Sequence, residues 1–224
     1  MLTVIVIAAG ALTVVLAWRV VARGVVSIWP AMSVATGAAG LAALLTGRVE
    51  LSPRVGWRVS AVAGAGAGVA LYLATVAFVM VVRRWPVFER HVEAIYDQRK
   101  GLALGPALLL AVGVNAPGEE LFWRGLFQWR LAESVGWPAA AAATWGAYVL
   151  ANLASGNLPI VAGGIVGGAV WGGLALWTHG VLASVLCHAV WTGLMLAFPP
   201  GGPRAHPDPK ETTRRAEAPS RPAS

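Results

Sequence analysis

The chain has 224 residues, of which 57% are hydrophobic and 12% are charged, and its mean hydropathy is +0.67. A soluble domain carries about 25% charged residues, so this composition excludes an ordinary soluble fold and favours a protein embedded in lipid. The net charge of +7 is compatible with nucleic-acid binding, but the arginines stand at the ends of apolar runs, as they do beside membrane helices. We therefore expect a lipid bilayer, and no nucleic acid, as a partner.

Apolar runs follow one another along the chain, and most are long enough for a helix to cross a hydrocarbon core of about 30 Å. They cover residues 2–17, 25–46, 59–82, 102–116, 138–154, 158–177 and 181–198, each bounded by Pro, Gly or charge. The segment 119–131 either extends the fourth run or forms a further helix. The alternating polarity of barrel strands is absent from the sequence. The prediction is an all-α, polytopic transmembrane bundle of about seven to eight helices.

Two polar segments separate the expected regions of the chain. Residues 83–100 mix charged and aromatic side chains, which is typical of an amphipathic helix at the headgroup level. With the preceding apolar runs they make up an N-terminal region, 1–100. Residues 200–224 are rich in Pro and charge and nearly free of large apolar side chains, so we expect a disordered polar tail.

Ionisable residues inside an apolar region are the strongest functional signal. Glu119, Glu120 and Arg124 directly follow the fourth run, and charges at membrane depth are costly enough to be read as functional. On a helix, Glu120 and Arg124 stand four residues apart and can pair, which leaves Glu119 without such a partner. The two carboxylates then take different roles. The alternative is an interfacial ion pair, with Glu119 as an acid favoured by a helix N-terminus.

Polar side chains in two later runs are further candidates. His188 lies well inside the last run, and Thr192 follows one turn later on the same face, so the pair can present two donors to one point. A lone histidine in a span is otherwise often only a bond between helices. Asn152 places an amide near the end of the fifth run, where a packing or capping role is the plain reading. The Gly-rich run at 163–173 predicts a tightly packed central helix.

Other catalytic chemistries find little support in the sequence. The single cysteine, Cys187, is adjacent to His188, and neighbouring helical side chains diverge by about 100°, so they do not form a nucleophile and base pair. A zinc site needs three or four converging ligands, and the apolar region offers few. We therefore expect neither a metal nor a cofactor.

Three motifs in fixed order resemble those of the CAAX prenyl protease and bacteriocin-processing family of intramembrane proteases. They are Glu119-Glu120-x-x-x-Arg124, Tyr148-x-x-x-Asn152 and His188-x-x-x-Thr192, where family members show EExxxR, FxxxH and HxxxN. The resemblance covers about residues 102–198, and it identifies 101–199 as a catalytic transmembrane core.

The resemblance implies roles for the individual residues. Glu119 becomes the base that activates water, Glu120 an assisting carboxylate paired with Arg124, and His188 an oxyanion donor. Asn152 departs from the family because an amide orients water but exchanges no proton near neutral pH. Thr192 departs as well, although its hydroxyl can still donate to an oxyanion.

The leading hypothesis is therefore a glutamic intramembrane endopeptidase acting on a membrane-associated protein or peptide. Within the family, the chain looks like the bacterial myxosortases, which process C-terminal anchor signals, and this implies the bacterial inner membrane. The alternatives are a non-catalytic scaffold or immunity protein and a small proton-coupled transporter, although no inverted repeat supports the latter.

Overall fold

The computed structural model describes residues 1–51, 53–82, 84–98 and 102–200, apart from the side chain at position 96. In these ranges the chain forms eight helices and no strand, which confirms the predicted all-α class. The helices are α1 (Leu2–Ala22), α2 (Ile28–Leu45), α3 (Trp57–Val82), α4 (Pro86–Asp97), α5 (104–135), α6 (Trp137–Leu153), α7 (Leu158–Thr178) and α8 (Leu182–Ala197). The predicted disordered tail lies outside the described residues from position 201 onward.

Residues 119–131 belong to helix α5, which continues the fourth apolar run without a break, so they do not form a separate helix. It passes through two π-helical segments, Ala111–Asn115 and Leu121–Gln128, with the α-helical turn Ala116–Glu120 between them. π-Helical turns are rare and occur often at functional sites. The second π-helical segment therefore begins directly after Glu120, and the first ends one turn before Glu119.

Helices α1, α2, α3 and α7 are long and apolar enough to cross a membrane, judged by length and composition within the described residues. Helix α8 is apolar but has only 16 residues. This is fewer than the seven spans expected from the apolar runs. The difference arises because the remaining runs belong to the shorter helices α6 and α8 and to α5, which carries the charged motif midway.

The amphipathic helix predicted between the third and fourth runs is present as α4. Phe88 turns inward from it and is buried, with its ring centroid 5.7 Å from that of Phe78 on α3. At its middle, His91 Nδ1 accepts a hydrogen bond from the backbone N–H of Leu158 at 2.9 Å, and its carbonyl accepts one from Asn157 Nδ2 at 3.0 Å. These bonds attach α4 to the N-terminal end of α7.

Two close helix contacts set the positions of the residues of interest. Helix α2 meets α5 at Gly40 and Gly118, and a Cβ on Gly118 would lie 2.4 Å from the carbonyl oxygen of Thr36. Helix α3 meets α8 at Gly64, where a Cβ would lie 2.5 Å from the carbonyl oxygen of Ala183. Small residues permit such approach between membrane helices. The N-terminal helices thus fix both the glutamate-bearing and the histidine-bearing helix.

The predicted Gly-rich central helix is α7, which packs between α6 and α8. Its face towards α6 runs along Asn152 and Tyr148, at Gly164 and Gly168 respectively. The same buried face carries Trp171, which is 1% exposed and belongs to the main apolar cluster. Helix α7 therefore forms one side of the cluster of ionisable residues described below, which contains Glu119, Glu120, Arg124 and His188.

Candidate active site

The two adjacent glutamates differ sharply in their surroundings. Both lie at the end of the α-helical turn Ala116–Glu120. Glu120 is fully buried at 0% exposure, whereas Glu119 is partly exposed. A buried carboxylate must be paired and hydrogen-bonded to be tolerated. The different roles expected for the two residues therefore have a structural counterpart.

Glu120 is contacted by basic side chains from two helices. Its Oε1 lies 3.0 Å from Arg124 NH1, which is the pairing expected from the helical spacing, and 2.9 Å from His188 Nδ1 on α8. Arg124 is 2% exposed, and its NH2 also donates to the carbonyl of Gly168 on α7 at 3.2 Å. One carboxylate oxygen thus joins α5 to α8, while the guanidinium joins α5 to α7.

Aromatic rings enclose these charged groups. The guanidinium carbon of Arg124 lies 4.6 Å from the ring centroid of Tyr148 and 5.4 Å from that of Trp171. The imidazole of His188 stacks on Trp171, with the ring centroids 3.7 Å apart and the planes 13° from parallel. Cation–π contacts are strongest where water is excluded. The rings therefore stabilise the guanidinium of Arg124 and restrict the orientation of the His188 imidazole.

Glu119 has a hydrogen-bond partner that was not predicted from the sequence. The hydroxyl of Tyr148, on α6, donates a hydrogen bond to Glu119 Oε2 at 2.6 Å. Glu119 also interacts electrostatically with His188, Glu120 and Arg124. The prediction that it lacks an ion-pair partner within its own helix agrees with this geometry, but the carboxylate is not without a hydrogen bond.

Asn152 and Thr192 do not join this hydrogen-bond network. Asn152 Nδ2 donates to the backbone carbonyl of Tyr148 one turn earlier, at 2.9 Å, and the side chain packs against Gly164. Thr192 Oγ1 is buried and has no hydrogen-bond partner among the residues that the structure covers. Asn152 is thus engaged by its own helix and by α7, and Thr192 keeps a hydroxyl available.

Two aromatic residues of the site were not predicted from the sequence. The hydroxyl of Tyr148 was not expected to be a polar group of the site, and Trp171 was not expected there at all. Tyr148 was visible only as the first position of the second motif, and Trp171 as an interruption of the Gly-rich run. No pattern in the sequence places either ring beside residues 17 or more positions away. Cys187 is buried, and within the described ranges no group of three or more His, Cys, Asp or Glu residues could hold a metal ion.

Comparison with known proteins gives one result that bears on this site. Residues 102–194 match the family model described as Rce1-like, type II CAAX prenyl endopeptidase Rce1-like. The matched segment begins just before α5, ends inside α8 and includes every residue of the cluster. No significant match was found among curated proteins or solved structures.

Proposed function

Residues 102–194 belong to the CAAX protease family of intramembrane proteases, and we propose that this chain is an endopeptidase in which Glu119 activates the attacking water. The observation that carries the proposal is the unequal pair of glutamates. Glu120 is buried and contacts both Arg124 and His188, whereas Glu119 is partly exposed and its carboxylate accepts one hydrogen bond among the described residues, from the Tyr148 hydroxyl. A base needs such an accessible carboxylate.

In the proposed reaction, Glu119 removes a proton from water while the water oxygen bonds to the scissile carbonyl carbon. The electron pair of the C=O bond moves onto oxygen to give a tetrahedral oxyanion. When this collapses, the C–N bond breaks and the proton passes from Glu119 to the departing amine. General base catalysis of this type typically contributes about 10²- to 10⁴-fold in rate.

Stabilisation of the oxyanion is assigned to α8. An ionised Glu120 only accepts hydrogen bonds, so His188 carries a proton on Nδ1, and it can donate from Nε2 as well only as the imidazolium. Nδ1 of His188 lies 2.9 Å from Glu120 Oε1, and its ring stacks on Trp171, so the imidazole is held in place for this role. Thr192 Oγ1, buried and without a hydrogen-bond partner in the described part of the chain, offers a second donor.

The arrangement of the chain supports a division of tasks between its two regions. Residues 101–199 form the proposed catalytic core, and the N-terminal region 1–100 braces it through the contacts at Gly118 and Gly64. The apolar helices α1, α2, α3 and α7 suit a protein embedded in a bilayer. Its substrate must then reach the site from the membrane.

For the substrate, we propose a membrane-associated protein carrying a C-terminal anchor or sorting signal, with cleavage in a bacterial inner membrane. The choice of substrate follows from the resemblance between the residues of the first motif and those of myxosortases. The family description itself names prenyl endopeptidases, so a farnesylated C-terminal peptide is the comparison substrate. Preference between the two distinguishes anchor processing from prenyl-peptide cleavage.

The proposal is tested by mapping protein C-termini in membranes of host cells that carry the wild-type chain, Glu119→Gln or Glu133→Gln. Glu133 is the matched control because it is an exposed acid on the same helix, paired with Arg130. Anchor fragments should form with the wild type and with the control and be absent with Glu119→Gln. Equal processing by Glu119→Gln would refute the mechanism, and no processing by any chain would favour a non-catalytic scaffold.

A further inference from the structure

Helix α6 delivers one polar group to the proposed base, and it is not the one that the motif spacing suggests. Tyr148 Oη lies 2.6 Å from Glu119 Oε2, a short O–H···O contact of the kind made to an ionised carboxylate. No other hydrogen bond to Glu119 occurs within the described residues. The phenol is therefore the principal contact between the base and the opposing wall of the site.

Asn152, one turn further along α6, is committed elsewhere. Its amide donates to the carbonyl of Tyr148, and its side-chain atoms lie within 3.5 Å of the point where Gly164 would carry a Cβ. An amide also cannot act as an acid or base near neutral pH. Tyr148, and not Asn152, is therefore the residue of α6 that forms a hydrogen bond with Glu119.

Packing fixes the Tyr148 ring on several sides. The ring is 5% exposed, its centroid is 5.4 Å from that of Trp123, and the guanidinium of Arg124 covers it at 4.6 Å. On the side of α7, a Cβ at Gly168 would lie 2.9 Å from the ring. A side chain held in this way keeps its hydroxyl in one place, which is what a supporting group around a catalytic carboxylate requires.

We propose that Tyr148 is the positioning residue of the base: its hydroxyl binds Glu119 Oε2, fixes the plane of the carboxylate and leaves Oε1 to take the proton from water. This rests on the proposed function, since it assigns a role beside Glu119. Tyr148 acts through the carboxylate and touches neither water nor substrate. Its loss should therefore slow turnover and leave substrate binding intact.

The test uses the full chain in proteoliposomes and a synthetic peptide spanning an anchor segment processed in the host cells, labelled with a fluorophore and a quencher. Tyr148→Phe removes only the hydroxyl and keeps the ring beneath Arg124. A hydrogen bond to a charged group corresponds to about 10- to 100-fold in rate, so kcat should fall by that factor while KM changes less than about threefold.

The matched control is Tyr72→Phe. Tyr72 Oη also donates a hydrogen bond, at 2.8 Å to the carbonyl of Phe198, but it lies outside the site. This variant should keep the wild-type kcat. Both variants are unfolded by SDS titration, and similar midpoints ensure that any difference in kcat is not a difference in folding.

The outcomes distinguish this inference from the proposed function. If Glu119→Gln is inactive but Tyr148→Phe turns over at the wild-type rate, the positioning role is wrong and the proposed function stands. If Glu119→Gln itself cleaves normally, the proposed function and the role of Tyr148 fall together.

Discussion

Replacing Arg124 by methionine should destabilise the protein far more than the loss of an ordinary surface charge. Arg124 NH1 lies 3.0 Å from Glu120 Oε1, and NH2 lies 3.2 Å from the carbonyl oxygen of Gly168. Removing one member of a buried ion pair typically costs about 3–5 kcal/mol because the other charge stays buried. The second bond from Glu120 to His188 remains, so the lower part of that range is expected.

The assay is equilibrium unfolding of the purified chain in mixed micelles by SDS titration. Arg130→Met is the matched control, because Arg130 stands on the same helix and pairs with Glu133 at a partly exposed position. Exposed pairs typically contribute less than about 1 kcal/mol. The two arginine variants should therefore differ by at least about 2 kcal/mol.

A double-mutant cycle isolates the electrostatic part. In Glu120→Gln with Arg124→Met, no unpaired carboxylate remains, so the double variant should be less destabilised than the sum of its single variants by about 1–3 kcal/mol. Strictly additive losses, or an Arg124→Met variant no weaker than Arg130→Met, would refute the view that this ion pair stabilises the bundle.

Two further predictions concern helix contacts and the bond between Tyr148 and Glu119. Gly118→Ala should lower the free energy of unfolding by about 1–3 kcal/mol, since its Cβ would meet the backbone of α2. Gly146 has open space around it, so Gly146→Ala should leave the free energy of unfolding unchanged or raise it by up to about 1 kcal/mol. SDS titration measures both variants. In a chain carrying ¹³Cζ-tyrosine, Glu119→Gln should shift the NMR signal of Tyr148 and leave that of Tyr72 in place. An unmoved Tyr148 signal would contradict the hydrogen bond, and equal losses at the two glycines would contradict the packing.

Local interactions were predictable from the sequence because they depend on helix geometry. Glu120 and Arg124 are four residues apart, a spacing that brings side chains together on any helix. The amphipathic helix α4 was visible for a similar reason, since its alternation of charged and aromatic residues lies within one short segment. Composition indicated a membrane protein, and the length of the apolar runs together with the absence of alternating polarity indicated helices.

Contacts between distant helices were not predictable in the same way. Tyr148 and Glu119 are 29 residues apart, and His188 and Glu120 are 68 residues apart. Their meeting depends on how α5, α6 and α8 are packed, and periodicity carries no information on that. Helical spacing also could not show that Asn152 turns to its own backbone. The two π-helical segments were not predicted because nothing in their sequences distinguishes them from an ordinary α-helix.

The central claim is that Glu119, and not its buried neighbour, is the base. The most direct measurement is the single-turnover rate of cleavage of the anchor peptide by purified wild-type and Glu119→Gln chains of matched SDS-unfolding midpoint. A Glu119→Gln rate lower by about 10²- to 10⁴-fold is predicted, with unchanged peptide affinity. Cleavage by Glu119→Gln within a few-fold of the wild-type rate would contradict the account.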